Sequence, residues 1–553
     1  MKLSADKEFR FGSLIIAGSL LLCALIFYYF AVLRVDYQKT ELLDLGPYPD
    51  AVEYFAQAKA ILKDGWPSIQ IGYDKLPSRY PVGYPVLMLP WLKVLPEADS
   101  ILAPFRTNQT IGLLLLLGVF AFYTYLAMPL TGGVAVLLLG TLPVFFTFCR
   151  SSMSDITAST LVVLALMFAY LGLAEERRWK IYLSAVFLGL SVNVRIPSAF
   201  FAPLLLSMAL FPIRGMRLRW FLHCAAVAIV FLLFASPVLL INKIEFGSPF
   251  KTGYNFWVPL SSARLFSPRY VPNNIATLWR EVALRPQAYH TTHIFGTGTT
   301  FLAGFVLLIM AGLFCIRMNR FVLAAFLAGL TYLTTILCYN SKLVDGRYYL
   351  PILILLVALA VLPVTWAAKN LFTGKHIIAS LPVFVIFAAA CLGYPSRSGY
   401  NTVAINRSQA WDAVHFGVSP KRHRRHRVSR ADKSRQFIAQ KEFAELVDGR
   451  PGILLSSIDP VYLNALLPDG FIAAPADGNH HYRFGKIWHY DQAEALALVE
   501  RGLHQELPIY ALFVSTEEIE RQQSRLPAQR GYQWTVLKNS GGEATVLQLT
   551  PSI

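Results

Sequence analysis

Long apolar runs constrain the fold of this chain more than any other feature. A helix needs about 20 mainly apolar residues to cross the hydrocarbon core of a bilayer. Eleven runs near that length precede residue 394, and they cover 11–33, 108–128, 131–149, 155–174, 180–194, 196–212, 219–241, 299–316, 320–338, 349–366 and 376–393. The sequence therefore predicts a polytopic α-helical membrane protein with about 11 spans. The fifth and sixth runs are short and touch at Arg195–Pro197, which predicts that they are either tilted or hinged there.

The distribution of charge supports a membrane protein and predicts its orientation. Only 15% of the 553 residues are charged, and many of the basic ones stand at the ends of apolar runs, so the net charge of +17 does not indicate nucleic-acid binding. The N-terminus is predicted to be cytoplasmic, because four inter-span loops on its side are rich in basic residues. These residues are Arg177, Arg178, Lys180, Arg214, Arg217, Arg219, Arg317, Arg320, Lys369 and Lys375. We expect a multi-pass protein of the plasma (inner) membrane whose large outer loops are 34–107 and 242–298.

An acidic segment in the first outer loop, residues 48–58, is predicted to form a helix that starts at Pro49. Helical spacing places Asp50 and Glu53 on one face and apolar side chains on the other, which is typical of a helix lying on a membrane surface. The two carboxylates suit a general base or a metal ligand. They also suit a helix N-terminus, where negative charge is favourable, and the segment alone leaves these alternatives open.

Ionisable residues at the mouth of a membrane bundle are costly unless they line a wet cavity, so they are functional candidates. Here both signs of charge fall on the predicted outer side, at Asp50, Glu53, Arg79, Asp155, Arg195, Lys251 and Arg347. Such a set describes an active-site cleft better than a through-pore.

Several of these outer residues have simpler alternatives. Asp155 could cap its span, Arg347 could reach to the interface, and Arg195 could anchor the end of a short span. The aromatic side chains of the first outer loop are expected to form a belt at the interface, and they are Tyr73, Tyr80, Tyr84 and Trp91.

The chain changes character after residue 394. Residues 395–435 are predicted to be a basic linker that contains the dense cluster Lys421–Arg427, which is explained by a loop near anionic headgroups. Residues 436–553 alternate between strand-like and helix-like segments, which predicts a soluble extracytoplasmic α/β domain. This region has no cysteine, and loop histidines explain His480, His481 and His489 more simply than a metal site does.

Four short motifs, taken together, resemble the GT-C superfamily of polytopic glycosyltransferases. The resemblance is to the branch of the protein O-mannosyltransferases and lipid A aminoarabinose transferases (families 39 and 83), which use polyprenyl-phosphate sugars. The motifs are the acidic segment with Tyr80–Pro85 after it, Ser151–Asp155, Gly247–Tyr254 and Gly346–Pro351. They cover residues 1–394 in order and spacing, which marks this region as the transmembrane catalytic module.

The resemblance implies roles for particular residues. Asp50 would be the catalytic carboxylate, with Asp155 as its partner or as a shared ligand of a divalent metal cation, and Arg347 with Tyr348 would hold the lipid phosphate. The chain lacks the adjacent acidic pair that some family members have in the first loop. Glu53 stands three positions after Asp50 instead, which leaves the use of a metal open.

The chemistry of sugar transfer also fits these residue types. A carboxylate such as Asp50, with Glu53 and Asp155 as further catalytic candidates, can take the proton of the acceptor. Guanidinium groups suit a departing phosphate; Arg347 is the first candidate, followed by Arg195, Lys251 and Arg79. A single displacement of this kind inverts the anomeric centre.

The sequence therefore predicts a hexosyl- or pentosyltransferase of the cell envelope. Its donor is a polyprenyl-phosphate sugar, and its acceptor is a lipid, a glycan or a protein. The main alternative is a polytopic transporter or lipid flippase, which predicts charges near the middle of spans and an internal inverted repeat. The sequence shows neither feature. A membrane scaffold for the C-terminal domain is the third hypothesis, but it gives no reason for opposite charges to collect in separate outer loops.

Overall fold

The chain forms two compact units. The computed structural model describes residues 7–34, 50–209, 217–254, 265–275, 307–313, 320–340, 346–371, 384–389, 391–392, 439–440, 442–448, 450–458, 460–467, 470–476, 479–480, 490–514, 526–527, 529–539 and 544–552. The first unit, here called the helical unit, comprises Met1–Tyr37, Phe105–Pro237 and Ser261–Pro420. The second, here called the mixed unit, comprises Gln38–Pro104, Val238–Leu260 and Lys421–Ile553.

Helices dominate the first 371 residues, and strands appear mainly near the C-terminus. The α-helices are α1 (Lys7–Tyr28), α2 (Asp50–Asp64), α3 (Gly83–Val94), α4 (Ala103–Tyr125), α5 (Pro129–Thr141), α6 (Pro143–Cys149), α7 (Asp155–Ala174), α8 (Arg178–Val194), α9 (Leu204–Ala209), α10 (Arg217–Phe246), α11 (Arg320–Cys338), α12 (Leu350–Leu371), α13 (Pro460–Leu466) and α14 (Gln492–His504). The strands are β1 (Ile69–Ile71), β2 (Asp74–Leu76), β3 (Gly452–Ser456), β4 (Phe471–Pro475), β5 (Asn479–His480), β6 (Tyr490–Asp491), β7 (Ile509–Phe513), β8 (Tyr532–Asn539) and β9 (Thr545–Pro551).

Five helices of the described part of the chain are long and apolar enough to cross a membrane. They are Gly12–Leu33, Asp99–Tyr125, Asp155–Ala174, Arg217–Phe246 and Phe321–Cys338, and shorter apolar helices cover Pro129–Thr141, Ile196–Leu206 and Leu350–Trp366. The predicted runs 299–316 and 376–393 lie partly outside the described residues. The helical, multi-span character of the chain is thus confirmed, whereas the number of about 11 spans stays a prediction.

The predicted span 131–149 is interrupted at a proline, and a second break separates the fifth and sixth apolar runs. α5 ends at Thr141, and Leu142 adopts an extended conformation before Pro143, since a residue that precedes proline is disfavoured in the helical region. Arg195 is likewise extended, with φ −154° and ψ 111°, and a short 3₁₀ helix, Ile196–Phe201, follows it. The expected hinge between the fifth and sixth runs is therefore present at Arg195.

The core of the helical unit is built around α5, whose residues from Leu130 to Thr141 are all buried. α5 packs against α1 and α12. The contact with α1 is close, because a Cβ added to Gly133 would lie 2.8 Å from Cα of Ala17. Small residues at helix contacts let the two backbones approach and gain dispersion energy, which drives helix association where lipid removes the hydrophobic driving force.

The C-terminal part of the mixed unit is an α/β structure. Its five-stranded sheet has the order β4-β3-β7-β9-β8. β3 pairs parallel to β4 and β7, whereas β9 pairs antiparallel to β7 and β8. The predicted alternation of strands and helices is present over the described residues, while the predicted helix 516–522 lies outside them. The predicted domain boundaries at 394 and 435 also fall outside the described residues and stay a prediction.

The first outer loop contributes α2, the β1–β2 hairpin and α3 to the mixed unit. The predicted acidic helix is present as α2, which packs against α3. It begins at Asp50, and the predicted start at Pro49 lies outside the described residues. The expected division into an apolar face and a wet polar face is wrong for the first half of α2, because Glu53 and Gln57 are as deeply buried as Val52 and Phe55. Polar partners inside the unit, described next, allow this burial.

Candidate active site

Asp50 is held at the start of α2 by a tyrosine from the same outer loop. The hydroxyl of Tyr80 donates a hydrogen bond to Oδ1 of Asp50. The ring of Tyr80 is buried between Tyr54 and Tyr254, whose ring centroids lie 4.8 Å and 5.7 Å away. Asp50 itself is only partly buried. It lies in the first turn of α2, next to the partial positive charge of the helix N-terminus.

The environment of Tyr80 keeps its phenol neutral. Burial raises the pKa of Tyr80 well above its ordinary value, and the nearby charge of Asp50 raises it further. A neutral phenol keeps its proton and remains a hydrogen-bond donor to the carboxylate. Tyr80 therefore orients Asp50 throughout the physiological pH range.

Glu53 and Arg79 form a buried ion pair beside this tyrosine. Both side chains are almost completely buried, at 1% and 3% exposure. Arg79 donates from Nε to Oε1 of Glu53 over 2.7 Å and from Nη2 to the same oxygen. Its backbone nitrogen donates to Oε2 over 3.3 Å. Burial raises the pKa of Glu53, and the Arg79 guanidinium opposes that rise.

Ser78 and Gln57 complete the network around Glu53. The Ser78 hydroxyl donates to Oε2 of Glu53 over 3.1 Å, and Gln57 donates from Nε2 to that hydroxyl oxygen over 2.8 Å. The same oxygen accepts the backbone N–H of Tyr80 over 3.1 Å. The network thus fixes residues 78–80 against α2 and sets the place from which Tyr80 reaches Asp50.

The segment around Gly253 closes over this network. A Cβ on Gly253 would lie 2.4 Å from Cα of Arg79, so only glycine permits this approach of the two backbones. The approach places Tyr254 against Tyr80. Lys251, two residues earlier, is exposed. The two outer-loop motifs that contain Tyr80 and Gly253 are therefore brought together, as part of one unit.

The helical unit contains a second group of predicted site residues. Asp155 is the first residue of α7, and its buried carboxylate forms an ion pair with Nη1 of Arg195. The Arg195 guanidinium carbon lies 4.4 Å from the ring centroid of Tyr348, a cation–π contact. The N-cap position belongs to Ser154, so Asp155 does not cap its helix by that geometry. Arg195 does more than anchor a span end, because it joins three separate elements.

Asn108 positions the turn that leads to Asp155. Its Nδ2 donates over 2.7 Å to the carbonyl oxygens of both Ser151 and Met153. Its Oδ1 accepts the hydroxyl of Thr157 over 3.1 Å. Sequence reasoning missed Asn108, and the available signal was an amide side chain at the start of an apolar run, where it must find buried partners.

Arg347 belongs to the short 3₁₀ helix Gly346–Tyr349, but its side chain lies outside the described part of the structure.

Tyr73, Tyr80 and Tyr84 depart from the expected interfacial belt. Tyr84 is fully buried and donates to the carbonyl of Pro104 over 3.0 Å, and Tyr80 is buried against Asp50.

The predicted site residues thus fall into two sets, one in each unit. The mixed unit holds Asp50, Glu53, Arg79 and Lys251, and the helical unit holds Asp155, Arg195 and Tyr348. A direct partnership of Asp50 with Asp155 stays a prediction. His481 and His489 lie outside the described residues.

The described residues offer little support for a metal site. No group of three or more His, Cys, Asp and Glu side chains among them is arranged to hold a metal ion. The Asp155 carboxylate is already neutralised by Arg195, whose charge would repel a cation bound to the same oxygen atoms. A divalent cation shared by Asp50 and Asp155 therefore stays a prediction.

Comparison with known proteins identifies the fold. No protein-family model and no curated protein matches the chain. The crystal structure of ArnT from Cupriavidus metallidurans bound to undecaprenyl phosphate matches with a TM-score of 0.56 and 13% identity, over 96% of this chain and 97% of that chain. The apo structure of the same ArnT matches with a TM-score of 0.53 and 15% identity over the same shares. The chain therefore has the fold of ArnT, and the resemblance to GT-C enzymes inferred from its motifs is confirmed at the level of the fold.

Proposed function

We propose that this chain is a membrane glycosyltransferase that moves a sugar from a polyprenyl-phosphate-linked donor to an acceptor on the extracytoplasmic face. The observation that carries the proposal is the partly exposed Asp50, held at a helix N-terminus by the buried phenol of Tyr80. The fold supports it as well, because ArnT, which shares that fold, was crystallised with undecaprenyl phosphate.

We assign Asp50 the role of general base. Its carboxylate takes the proton of the acceptor hydroxyl while the acceptor oxygen bonds to the anomeric carbon of the sugar. The bond from that carbon to the phosphate oxygen breaks, and the phosphate leaves with the electron pair. A positioned base contributes about 10²–10⁴-fold to such a step. Attack opposite the leaving group inverts the anomeric centre.

Arg195 and Arg347 are assigned to the departing phosphate. Arg195 is oriented by the carboxylate of Asp155 below it and by the ring of Tyr348 beside it. A guanidinium fixed in this way presents its remaining N–H groups without losing side-chain entropy at each encounter. Arg347 precedes Tyr348 directly, which supports its assignment to the same phosphate. Exposed Lys251 is a further candidate for attracting the anion.

Glu53 and Arg79 are assigned to positioning. Each is buried and satisfied by the other, so neither needs a substrate group as a partner. Their hydrogen bonds fix the backbone from Ser78 to Tyr80, which in turn sets the direction of the Tyr80 hydroxyl. Asp50 and Glu53, the two acids in the first turn of α2, therefore have different roles.

Donor consumption by the purified chain tests the enzyme class. Nanodiscs containing the chain are given radiolabelled polyprenyl-phosphate pentoses and hexoses together with total envelope lipid, glycan and protein as acceptors. We expect one donor to lose its sugar, with label appearing in an acceptor. Movement of intact donor between leaflets without cleavage would indicate a flippase instead. Empty nanodiscs are the control.

A further inference from the structure

The helix that begins with Asp50 also contacts the C-terminal α/β structure within the mixed unit. α2 packs against α13, the helix that connects β3 to β4. Seven residues in the first nine positions of α2 are buried, including Ala51, Phe55 and Ala58. An isolated helix of this length is marginal in water, so its stability comes from the surfaces that cover it.

The β1–β2 hairpin ties the same loop to β4. Gly72, at the turn between the strands, donates its N–H to the carbonyl of Ala473 over 2.8 Å. Its φ of +57° is a conformation that glycine adopts without strain, and a Cβ there would meet Ala474. A hairpin of two three-residue strands is not stable alone, so contacts with the C-terminal structure must stabilise it.

Asn464 of α13 joins the hairpin to the sheet. Its Nδ2 donates to the carbonyl of Gln70 over 2.8 Å and to that of Ala473 over 3.3 Å, while its Oδ1 accepts the N–H of Ala473 over 2.9 Å. One side chain thus satisfies backbone groups in both the first outer loop and the C-terminal sheet.

Tyr73 forms the second connection. Its ring packs against the core of the C-terminal sheet, and the guanidinium carbon of Arg501 in α14 lies 3.8 Å from the ring centroid. Its hydroxyl donates to Oε1 of Gln505 over 2.8 Å. The hairpin is therefore fastened to α13 on one side and to α14 on the other.

We infer that the C-terminal α/β structure positions α2, and with it Asp50, through the hairpin and α13. Tyr73, Asn464 and Arg501 are positioning residues under this inference, and none of them touches Asp50. Its consequence for catalysis rests on the proposed function of Asp50, whereas the positioning itself does not. The C-terminal structure is then a part of the machinery that orders the acidic helix, rather than an appendage.

Hydrogen exchange of the full chain in nanodiscs tests the positioning. In Tyr73→Ala we expect the amides of Asp50–Asp64 to exchange about tenfold faster, the loss expected when a stacked cation and one hydrogen bond are removed. Lys75→Ala is the comparison variant, since it removes only the exposed ion pair between the hairpin and Asp64 at the end of α2, which is worth at most about 1 kcal/mol. Its effect on the exchange of α2 should be clearly smaller than that of Tyr73→Ala. Unchanged exchange of α2 in Tyr73→Ala would overturn the inference.

A second variant tests the inference if Tyr73→Ala also destabilises the C-terminal sheet, which faster exchange of β3 and β7 would show. Arg501→Ala is then used, because it removes the guanidinium that covers the Tyr73 ring and leaves the ring in place. Faster exchange of α2 with β3 and β7 still protected supports the inference. Wild-type exchange of α2 in Arg501→Ala overturns it.

Turnover distinguishes positioning from general stability. We expect Tyr73→Ala to lower kcat several-fold at unchanged donor KM in the folded protein, and Tyr73→Phe, which keeps the ring, to restore most of kcat. Unchanged kcat in Tyr73→Ala with faster exchange of α2 would overturn the catalytic consequence. If the wild type consumes no donor, the proposed function fails, while the exchange result still decides the positioning.

Discussion

Asp50 and Glu53 lie one helical turn apart, and their surroundings give them different chemistry. Asp50 is partly exposed and accepts one hydrogen bond from a neutral phenol. Glu53 is enclosed and receives four donor contacts from Arg79 and Ser78. A base must exchange its proton with a bound acceptor, which the exposed carboxylate can do. The enclosed carboxylate of Glu53 is already paired with the permanently charged guanidinium of Arg79.

Glu53→Ala should destabilise the chain rather than remove a catalytic step. It leaves the Arg79 guanidinium buried without its carboxylate, and breaking a buried ion pair in this way costs about 3–5 kcal/mol. We expect a clearly lower Tm by intrinsic fluorescence, with a smaller loss in Glu53→Gln, which keeps an acceptor for Arg79. A Glu53→Ala protein with wild-type Tm but a hundredfold slower turnover would instead make Glu53 catalytic.

Tyr80 gives the stability of the chain a specific alkaline dependence. Its folded pKa lies above the ordinary value of 10.0, so the folded state prefers the neutral phenol. This stabilisation is complete below about pH 10 and is lost as the pH rises through the folded pKa, at about 1.4 kcal/mol per pH unit.

We therefore expect the Tm advantage of the wild type over Tyr80→Phe to shrink between about pH 9 and pH 11. Phe250→Leu provides the control, because it changes an exposed side chain that does not titrate and should keep a constant difference from the wild type over this range. A Tm difference between the wild type and Tyr80→Phe that stays constant over this range would contradict the conclusion that the folded state keeps the Tyr80 phenol neutral.

At the scale of elements, close helix contacts fix the frame that carries the site residues. α1 and α5 meet where Gly133 faces the backbone of Ala17. The break at Arg195 lets α8 end and the following 3₁₀ helix begin, which directs the guanidinium to Asp155 at the start of α7. Prolines and small residues thus determine where polar groups can meet within an apolar bundle.

Gly133→Val should separate α1 from α5. Its Cβ would clash with backbone atoms of Ala17 at 2.8 Å and 2.9 Å, and overpacking of this kind costs about 1–3 kcal/mol. We expect a lower Tm in detergent. Gly118→Ala in α4 is the matched control, because nothing lies within 4 Å of its Cβ and alanine favours a helix. Equal Tm values for the two variants would contradict the close contact.

At the scale of the whole molecule, the sequence predicted what depends on local pattern. The apolar runs, the acidic helix of the first outer loop, the break near Arg195 and the strand and helix order after residue 452 follow from periodicity, proline and burial. Most of the runs that the structure describes are helical, although Pro143 interrupts one of them and Arg195 separates two others.

Pairings between distant residues were not predictable from pattern. Tyr80 meets Asp50 and Arg79 meets Glu53 only after the first outer loop folds back on α2, and Arg195 meets Asp155 across a whole helix pair. Tyr80 looked like an interfacial aromatic because its ring is large and its loop is near the membrane. Its hydroxyl instead donates to Asp50, and only the tertiary structure brings these two residues together.

The most direct measurement compares donor consumption by the wild type, Asp50→Asn and Asp64→Asn. Asp64 ends the same helix and pairs with Lys75, so its variant controls for a lost charge on α2. We expect Asp50→Asn to be at least about a hundredfold slower in single turnover, with Asp64→Asn close to the wild type. Equal rates for the wild type and Asp50→Asn would contradict the assignment of Asp50 as the general base.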